Sequence, residues 1–469
     1  MSQISRGTNK TIDWITLTIF GSLLIIGWLM LYAAVHDSDV PSAYLDFGTI
    51  IGKQTMWLGL ALMVFVIVYA IDWQFWNTFA FPIYGVSIFL LILVLILGTE
   101  IKGAKSWFSF GGVSFQPSEI AKFGTAIAVS SFLSSYKFDI RKKNGLMIAL
   151  GLIVVPIVFI LLQPDAGSAL IFLSFFMLFY RRGLNALVYL LGFFVAAIFI
   201  SSYVYEPQIV ILVVAISGLG VLIYNIGNTW RSAIIFLLLA SFSILLFIRD
   251  QYFFAITLIG VSLTVYAFLM FKERQMKVLT LTVPTVILSA ILSLGSSFVL
   301  SNMLEPHQQD RINVWLKPEK SDPQGARYNI IQSKLAIGSG GLQGKGFLQG
   351  DMTKLNYVPE QTTDFIFSTV GEEQGFIGSV AVIFLFTLLI IRIIIIGERA
   401  KNKFIQNYAY SIAGIFFVHF FINIGMALGV MPVIGIPLPF LSKGGSALIG
   451  FTIMIAVLLR MDMARFRGS

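Results

Sequence analysis

Fourteen mostly apolar stretches follow one another along this chain, a pattern no water-soluble fold accommodates. They lie at about 13–35, 54–72, 76–98, 117–135, 145–162, 166–180, 184–204, 208–225, 232–248, 252–271, 278–302, 366–396, 407–430 and 443–460. Roughly 17 apolar residues suffice to cross the hydrocarbon layer as a helix. In lipid a crossing segment must satisfy its own backbone hydrogen bonds, so helices are expected. Charged residues make up only 12% of the 469, against about 25% in soluble domains. The expected fold class is an all-α polytopic membrane protein with about fourteen spans.

Basic residues set the expected orientation. With Arg6 and Lys10 in the cytoplasm, the inward loops carry Lys137, Arg141–Lys143, Arg181, Arg182, Arg231, Lys272, Arg274, Lys277, Arg399, Lys401 and Lys403, and the C-terminus adds Arg465 and Arg467. The short outward loops carry Asp37, Asp39, Asp46, Asp165 and Glu206 instead. Both termini are thus expected in the cytoplasm. This asymmetry also accounts for the net charge of +9 without a nucleic-acid partner. The first apolar stretch is longer than a secretory signal core and reads as a retained span. The chain has no cysteine, which excludes disulfides and thiolate sites. His36, His307 and His419 are too scattered in sequence to suggest a histidine-rich metal site.

Residues 303–365 form a large loop, expected outside, with seven basic and seven acidic residues. Its YNIIQSKLAIG stretch (328–338) suggests an interfacial helix, and six glycines in 338–350 suit tight turns. An ordered functional cap is expected here rather than a floppy linker.

Ionisable residues at spans are costly and therefore functional candidates. Lys105 and Trp107 fall in an outer loop, where a tryptophan by itself would be an interfacial anchor. Glu119 and Lys122, at i,i+3, share a helix face, either as an internal ion pair, as the lining of a polar cavity, or as both. Asp165, after Pro164, either caps the next helix or contacts a substrate or metal. Arg311, Lys317, Arg327 and Lys334 lie near glycine-rich backbone that suits a phosphate head group, or else in a solvated loop. In VPEQTTDFIFSTVGEEQG (358–375), Asp364 stands where an aspartate could cap the coming helix. Continuing that helix from Asp364, at about 100° per residue, sets Glu372 some 80° around from it, where both can border one cavity, and turns Glu373 away toward another helix. Pro432, Pro437, Pro439, Gly444 and Gly445 prevent regular helix in 423–447, so that segment must line a cavity or be buried.

Together these pieces resemble the SEDS family (shape, elongation, division and sporulation proteins), closer to its RodA branch than to FtsW. The matching motifs are GAxxW (103–107), QPSEIAK (116–122), QPDxG (163–167), the DR…PE…DP…G…Y…QS run (310–333), PExxTDFIF (359–367) with EExG (372–375), and the closing N…P…G…SxGGSA signature (423–447). Two departures stand out: Lys443 replaces a usually small or aromatic residue, and four extra spans (about 184–271) interrupt a core of about ten. The resulting division is 1–183 and 272–469 as core and 184–271 as insertion, which reads as peripheral to catalysis.

The resemblance implies a peptidoglycan glycosyltransferase for cell elongation and shape, acting at the outer face of the bacterial inner membrane. It would polymerise lipid II into β-1,4 glycan by inverting transfer, releasing undecaprenyl diphosphate. Asp364 matches the family's essential aspartate, as general base or as ligand to a divalent cation, Mg2+ or Mn2+. Lys105, Arg311 and Lys345 are candidates for the diphosphate, while Trp107, Glu119, Lys122, Asp165 and Glu372 would shape the cavity. Implied partners are a class B penicillin-binding protein and other elongation-complex membrane proteins. A precursor flippase or a scaffold that recruits a transpeptidase are the alternatives.

Overall fold

The computed structural model describes residues 12–36, 46–101, 103–110, 113–135, 142–226, 230–302 and 306–463. Arg6, Lys10, Asp37, Asp39, Lys137, Arg141, Arg465 and Arg467, which informed the expected orientation, lie outside them, and the side chain of His307 is likewise not described.

Every apolar stretch is helical. Four helices come first: α1 (Trp14–Val35), α2 (Ile50–Ala70), the short α3 (Trp73–Thr78) and α4 (Ala80–Leu97). A small antiparallel sheet follows, with β1 (Thr99–Ile101), β2 (Ala104–Phe110) and β3 (Val113–Phe115). The all-α expectation missed this sheet because its strands are short and sit where an outer loop was expected. Then come α5 (Pro117–Ser134), α6 (Lys143–Leu161), α7 (Ala166–Ile171) and α8 (Phe175–Arg181), with a single 3₁₀ turn between the last two.

Twelve helices among the described residues are long and apolar enough to cross a membrane, which makes this a multi-pass membrane protein. The stretches at 117–135 and 166–180 fall outside those twelve for different reasons. Most of α5 is buried by protein on all sides, so it tolerates Glu119, Lys122 and four serines. The second is broken by its 3₁₀ turn.

The chain divides into two compact units, 1–184 with 322–469, and 185–321. The second holds α9 (Ala186–Val204), α10 (Pro207–Ile226), α11 (Trp230–Ile248), α12 (Tyr252–Lys272), α13 (Met276–Asn302) and α14 (Pro306–Leu316). Its core joins Leu212, Ala215, Leu219 and Ile223 of α10 to Ala255 and Ile259 of α12. Ser202 of α9 donates to Ser293 of α13 at 2.8 Å. Lys317 stands over the Tyr203 ring at 4.7 Å, and the Tyr203 hydroxyl bonds Asn313.

The first unit continues with α15 (Ala326–Ser339), α16 (Asp351–Lys354), α17 (Ile366–Arg399), α18 (Lys403–Ala427) and α19 (Gly445–Met463). Here α5 packs between α4 and α18, α18 against α17 and α8, and α19 along α2. The stretch expected to be helical at 328–338 falls within α15. It buries Ile330, Ser333 and Ala336, and Ser333 Oγ donates to the carbonyl of Ala427 at 2.9 Å. At one end of this unit Asp13 receives Arg392 at 2.7 Å and Arg399 at 2.6 Å, and Arg399 also pairs with Asp462, tying α1, α17 and α19 together.

Candidate active site

The segment bearing Asp364 is irregular for a chemical reason. Glu360 takes a positive φ of 57°, and its carbonyl accepts from the N–H groups of Thr363, Asp364 and Phe365. This tight turn uses the backbone that would otherwise begin a helix. The cap position of α17 falls on Phe365, so Asp364 stands one residue ahead of it. The helical-wheel angle drawn from Asp364 to Glu372 therefore does not apply.

Three consecutive carbonyls of the segment are clamped by the closing signature. Lys443 N–H donates to Thr362 at 2.8 Å, Ser442 Oγ to Thr363 at 2.5 Å, and Asn423 Nδ2 to Asp364 at 2.9 Å. The same Asn423 amide also donates to Ile436 at 2.8 Å. On the other side Gln361 reaches the carbonyl of Ala34 on α1 at 3.0 Å and that of Thr353 at 2.9 Å. Each of these is a buried or half-buried hydrogen bond, expensive to leave unmade. Gly435, at φ 77°, backs the aspartate itself: a Cβ there would lie 3.4 Å from Asp364 Oδ2. Asp364 is half-buried. The departure noted at Lys443 thus leaves its backbone contact to Thr362 in place.

Glu372, fully buried, sits inside α17 but faces the loop before it. It accepts from Lys345 Nζ at 2.8 Å, from the N–H groups of Met352 and Thr353 at 2.9 and 2.8 Å, and from Thr353 Oγ1 at 2.7 Å. Lys345 also meets Asp351 at 3.2 Å. The hydrogen bond to Glu372 holds the Lys345 ammonium above its usual pKa. Glu373 packs beneath Gly350 of the same loop rather than against another helix: a Cβ at Gly350 would meet its Cγ at 3.1 Å.

The glycine-rich run now has a structural role. At Gly375 (φ 64°, ψ −159°) α17 breaks, which would orphan backbone groups on both sides. The run supplies the missing partners. Lys345 and Gly346 donate to the carbonyls of Glu372 and Glu373 at 3.0 Å each, while Phe376 and Ile377 donate to Gly341 and Leu342 at 2.9 and 3.1 Å. The approach is so close that a Cβ at Gly344 would fall 2.1 Å from the Glu373 carbonyl oxygen.

Asp165 caps α7 through the Ser168 N–H at 3.0 Å and accepts from Gln116 Nε2 at 2.9 Å. Gly167 of that helix lies against the loop bearing Gly435, for a Cβ there would stand 2.8 Å from the Ile434 oxygen. Glu119 and Lys122 form a buried pair at 2.8 Å. Lys105 is exposed on β2, where it donates to the Ile96 carbonyl at 3.1 Å, and Trp107 is a half-buried neighbour on that strand. Arg311 lies on α14 of the other unit.

Two buried residues on α18 were not read from the sequence as site residues, His419 and Asn423. The closing signature carried Asn423 as a motif letter, whereas His419 had no local signal.

Among the described residues no group of three or more His, Asp or Glu could form a metal cage. A single carboxylate such as Asp364 fits a hard divalent ion that draws its other ligands from water and phosphate oxygens.

The FTSW_RODA_SPOVE family model, described as "Cell cycle protein", matches residues 13–212 and 230–466. The peptidoglycan glycosyltransferase MrdB of Escherichia coli K12 is 32% identical over 439 residues, covering 93% of this chain and 92% of that one. The peptidoglycan glycosyltransferase RodA of Treponema pallidum is 30% identical, covering 96% and 97%. A chain from a solved peptidoglycan synthase complex that coordinates polymerization and crosslinking superposes with a TM-score of 0.60 at 25% identity, covering 97% and 99%.

Proposed function

The chain belongs to the FTSW_RODA_SPOVE family, and on that premise we propose that it is a peptidoglycan glycosyltransferase that polymerises lipid II for cell elongation and shape. The observation that carries this reading is the clamp on Thr362, Thr363 and Asp364, which holds one carboxylate at the entrance of α17 against Gly435. Catalysis by positioned groups needs such preorganisation.

The acceptor's sugar hydroxyl oxygen bonds to the anomeric carbon of the donor while the bond from that carbon to the diphosphate oxygen breaks. One displacement inverts the α-linked donor into a β-1,4 product, and undecaprenyl diphosphate leaves. Asp364 takes the hydroxyl proton. In the alternative role for the same residue, Asp364 holds Mg2+ or Mn2+, which when bound neutralises charge on the diphosphate. Lys105 and Lys345 are the proposed cations of this unit for the phosphate oxygens. Among the described residues Lys345 pairs with two carboxylates, Asp351 and Glu372, and its ammonium carries three N–H donors.

In this reading the chain crosses the bacterial inner membrane fourteen times, keeps both termini in the cytoplasm and acts at the outer face. A class B penicillin-binding protein is its proposed partner, among other elongation-complex proteins. The solved complex cited above supports that partnership by resemblance.

Purified protein, with and without the transpeptidase, is given lipid-linked disaccharide-pentapeptide and divalent cation. Wild type is expected to make glycan polymer, and folded Asp364→Asn none. Equal polymer from both removes Asp364 from the mechanism. No polymer from wild type in any condition rejects the enzyme reading and turns the question to lipid flipping in liposomes.

A further inference from the structure

His419 is a buried, titratable residue that the reaction above does not use. It lies on α18 with 1% exposure. Its Nδ1 is 3.0 Å from the Pro437 carbonyl oxygen, and its Nε2 is 2.9 Å from Lys122 Nζ. A carbonyl can only accept, so Nδ1 carries the proton, and Nε2 turns its lone pair to the ammonium. Lys122 is held in turn by Glu119 at 2.8 Å, and the Phe451 ring packs against both the ammonium and the imidazole.

One helical turn further along the same face comes Asn423, which grips Ile436 and Asp364. Adjacent carbonyls of the loop, Ile436 and Pro437, are therefore held by side chains four residues apart. The next residue back is Gly435, the one standing against the Asp364 carboxylate.

We infer that His419 is a positioning residue: its Nδ1–H fixes the Pro437 carbonyl, and so holds Gly435 and its neighbours in register with Asp364, while Lys122 sets the tautomer that makes this possible. The inference rests on the polymerase reading. It concerns a residue that touches no reacting atom and acts only through the loop.

The test separates the two ring nitrogens. In His419→Asn an amide N–H stands where Nδ1 was and keeps the donor to Pro437. His419→Gln instead keeps an acceptor near Lys122 and loses the loop contact, and His419→Leu loses both. Two quantities are measured on monodisperse protein: polymerisation kcat and KM, and amide hydrogen exchange across 434–444 and 362–365. The Gln and Leu variants are expected to lose about tenfold or more in kcat, as small misplacements do. Their KM for the lipid-linked donor should stay within about twofold and their exchange should rise, while Asn stays near wild type in all of these. Unchanged exchange in the Gln variant overturns the inference, because the loop is then held without Nδ1. Raised exchange with wild-type kcat also overturns it, because the loop then does not position Asp364. Should Leu fail to fold, the Asn and Gln pair decides alone. If wild type makes no polymer while exchange responds as expected, the polymerase reading fails and the His419 grip on the loop stands.

Discussion

Removing Lys122 should damage the protein far more than removing Lys122 and Glu119 together. The two side chains are only 1% and 3% exposed, 2.8 Å apart, and joined across one turn of a helix that is itself buried. In Lys122→Met the Glu119 carboxylate keeps its burial and loses its cation. Breaking a buried pair from one side costs about 3–5 kcal/mol. His419 Nε2 loses its donor as well, and an unsatisfied buried acceptor adds about 1–3 kcal/mol. A total of about 4 kcal/mol or more is a large part of the roughly 5–15 kcal/mol that separates folded from unfolded states. In Glu119→Gln/Lys122→Met no charge is left to orphan, so the double variant should recover most of the loss. Denaturant unfolding in detergent, run on all four corners of the double-mutant cycle, should give a coupling energy of about 3 kcal/mol. A Lys122→Met variant as stable as wild type would mean the pair is not buried as described. A double variant no better than the worse single would mean that packing, and not the stranded charge, sets the cost.

Two further outcomes follow from the geometry. Gly435→Ala must hold a left-handed backbone at about 1–2 kcal/mol and places a methyl 3.4 Å from Asp364 Oδ2, so polymerisation should fall at least tenfold while the detergent-solubilised protein stays folded; wild-type turnover would show that the loop does not brace the carboxylate. Burial alone would raise the pKa of Asp13, but the Thr16 N–H, Arg392 and Arg399 outweigh it and hold the carboxyl below its usual value. Its stabilisation is therefore present above the unfolded value of about 3.9 and is lost as pH falls through the lower folded value. Asp13→Asn should be less stable than wild type by about 1–3 kcal/mol at pH 7, with the gap closing as the pH drops below about 4; a gap independent of pH would reject that account.

What could be read in advance was what depends on neighbours in sequence. The apolar stretches became helices because lipid leaves the backbone no other partner. Glu119 and Lys122 could be paired on paper because they are three residues apart, and Asp165 could be read as a cap because Ser168 lies within its turn. His419 gave no such sign, since its partners Lys122 and Pro437 arrive from another helix and from a loop. Glu372 was read by its angle on a regular helix, but its ligands come from 345–353, and a wheel cannot see a loop folding back. The break at Gly375 was equally hidden, because a glycine in an apolar run is compatible with continuity until another backbone arrives to replace the lost bonds.

That break has a mechanical consequence. A continuous rod of 34 residues would hand any tilt imposed by a thicker or thinner bilayer straight to its tip. Here the short piece 366–374 is bonded to 345–346 and the start of the long piece, Phe376 and Ile377, to 341–342, so the loop splints the two across the break. A lean of the long piece therefore reaches the short one through the loop that bonds them both. The entrance of α17 thus meets the bilayer by way of a splinted joint rather than an unbroken rod.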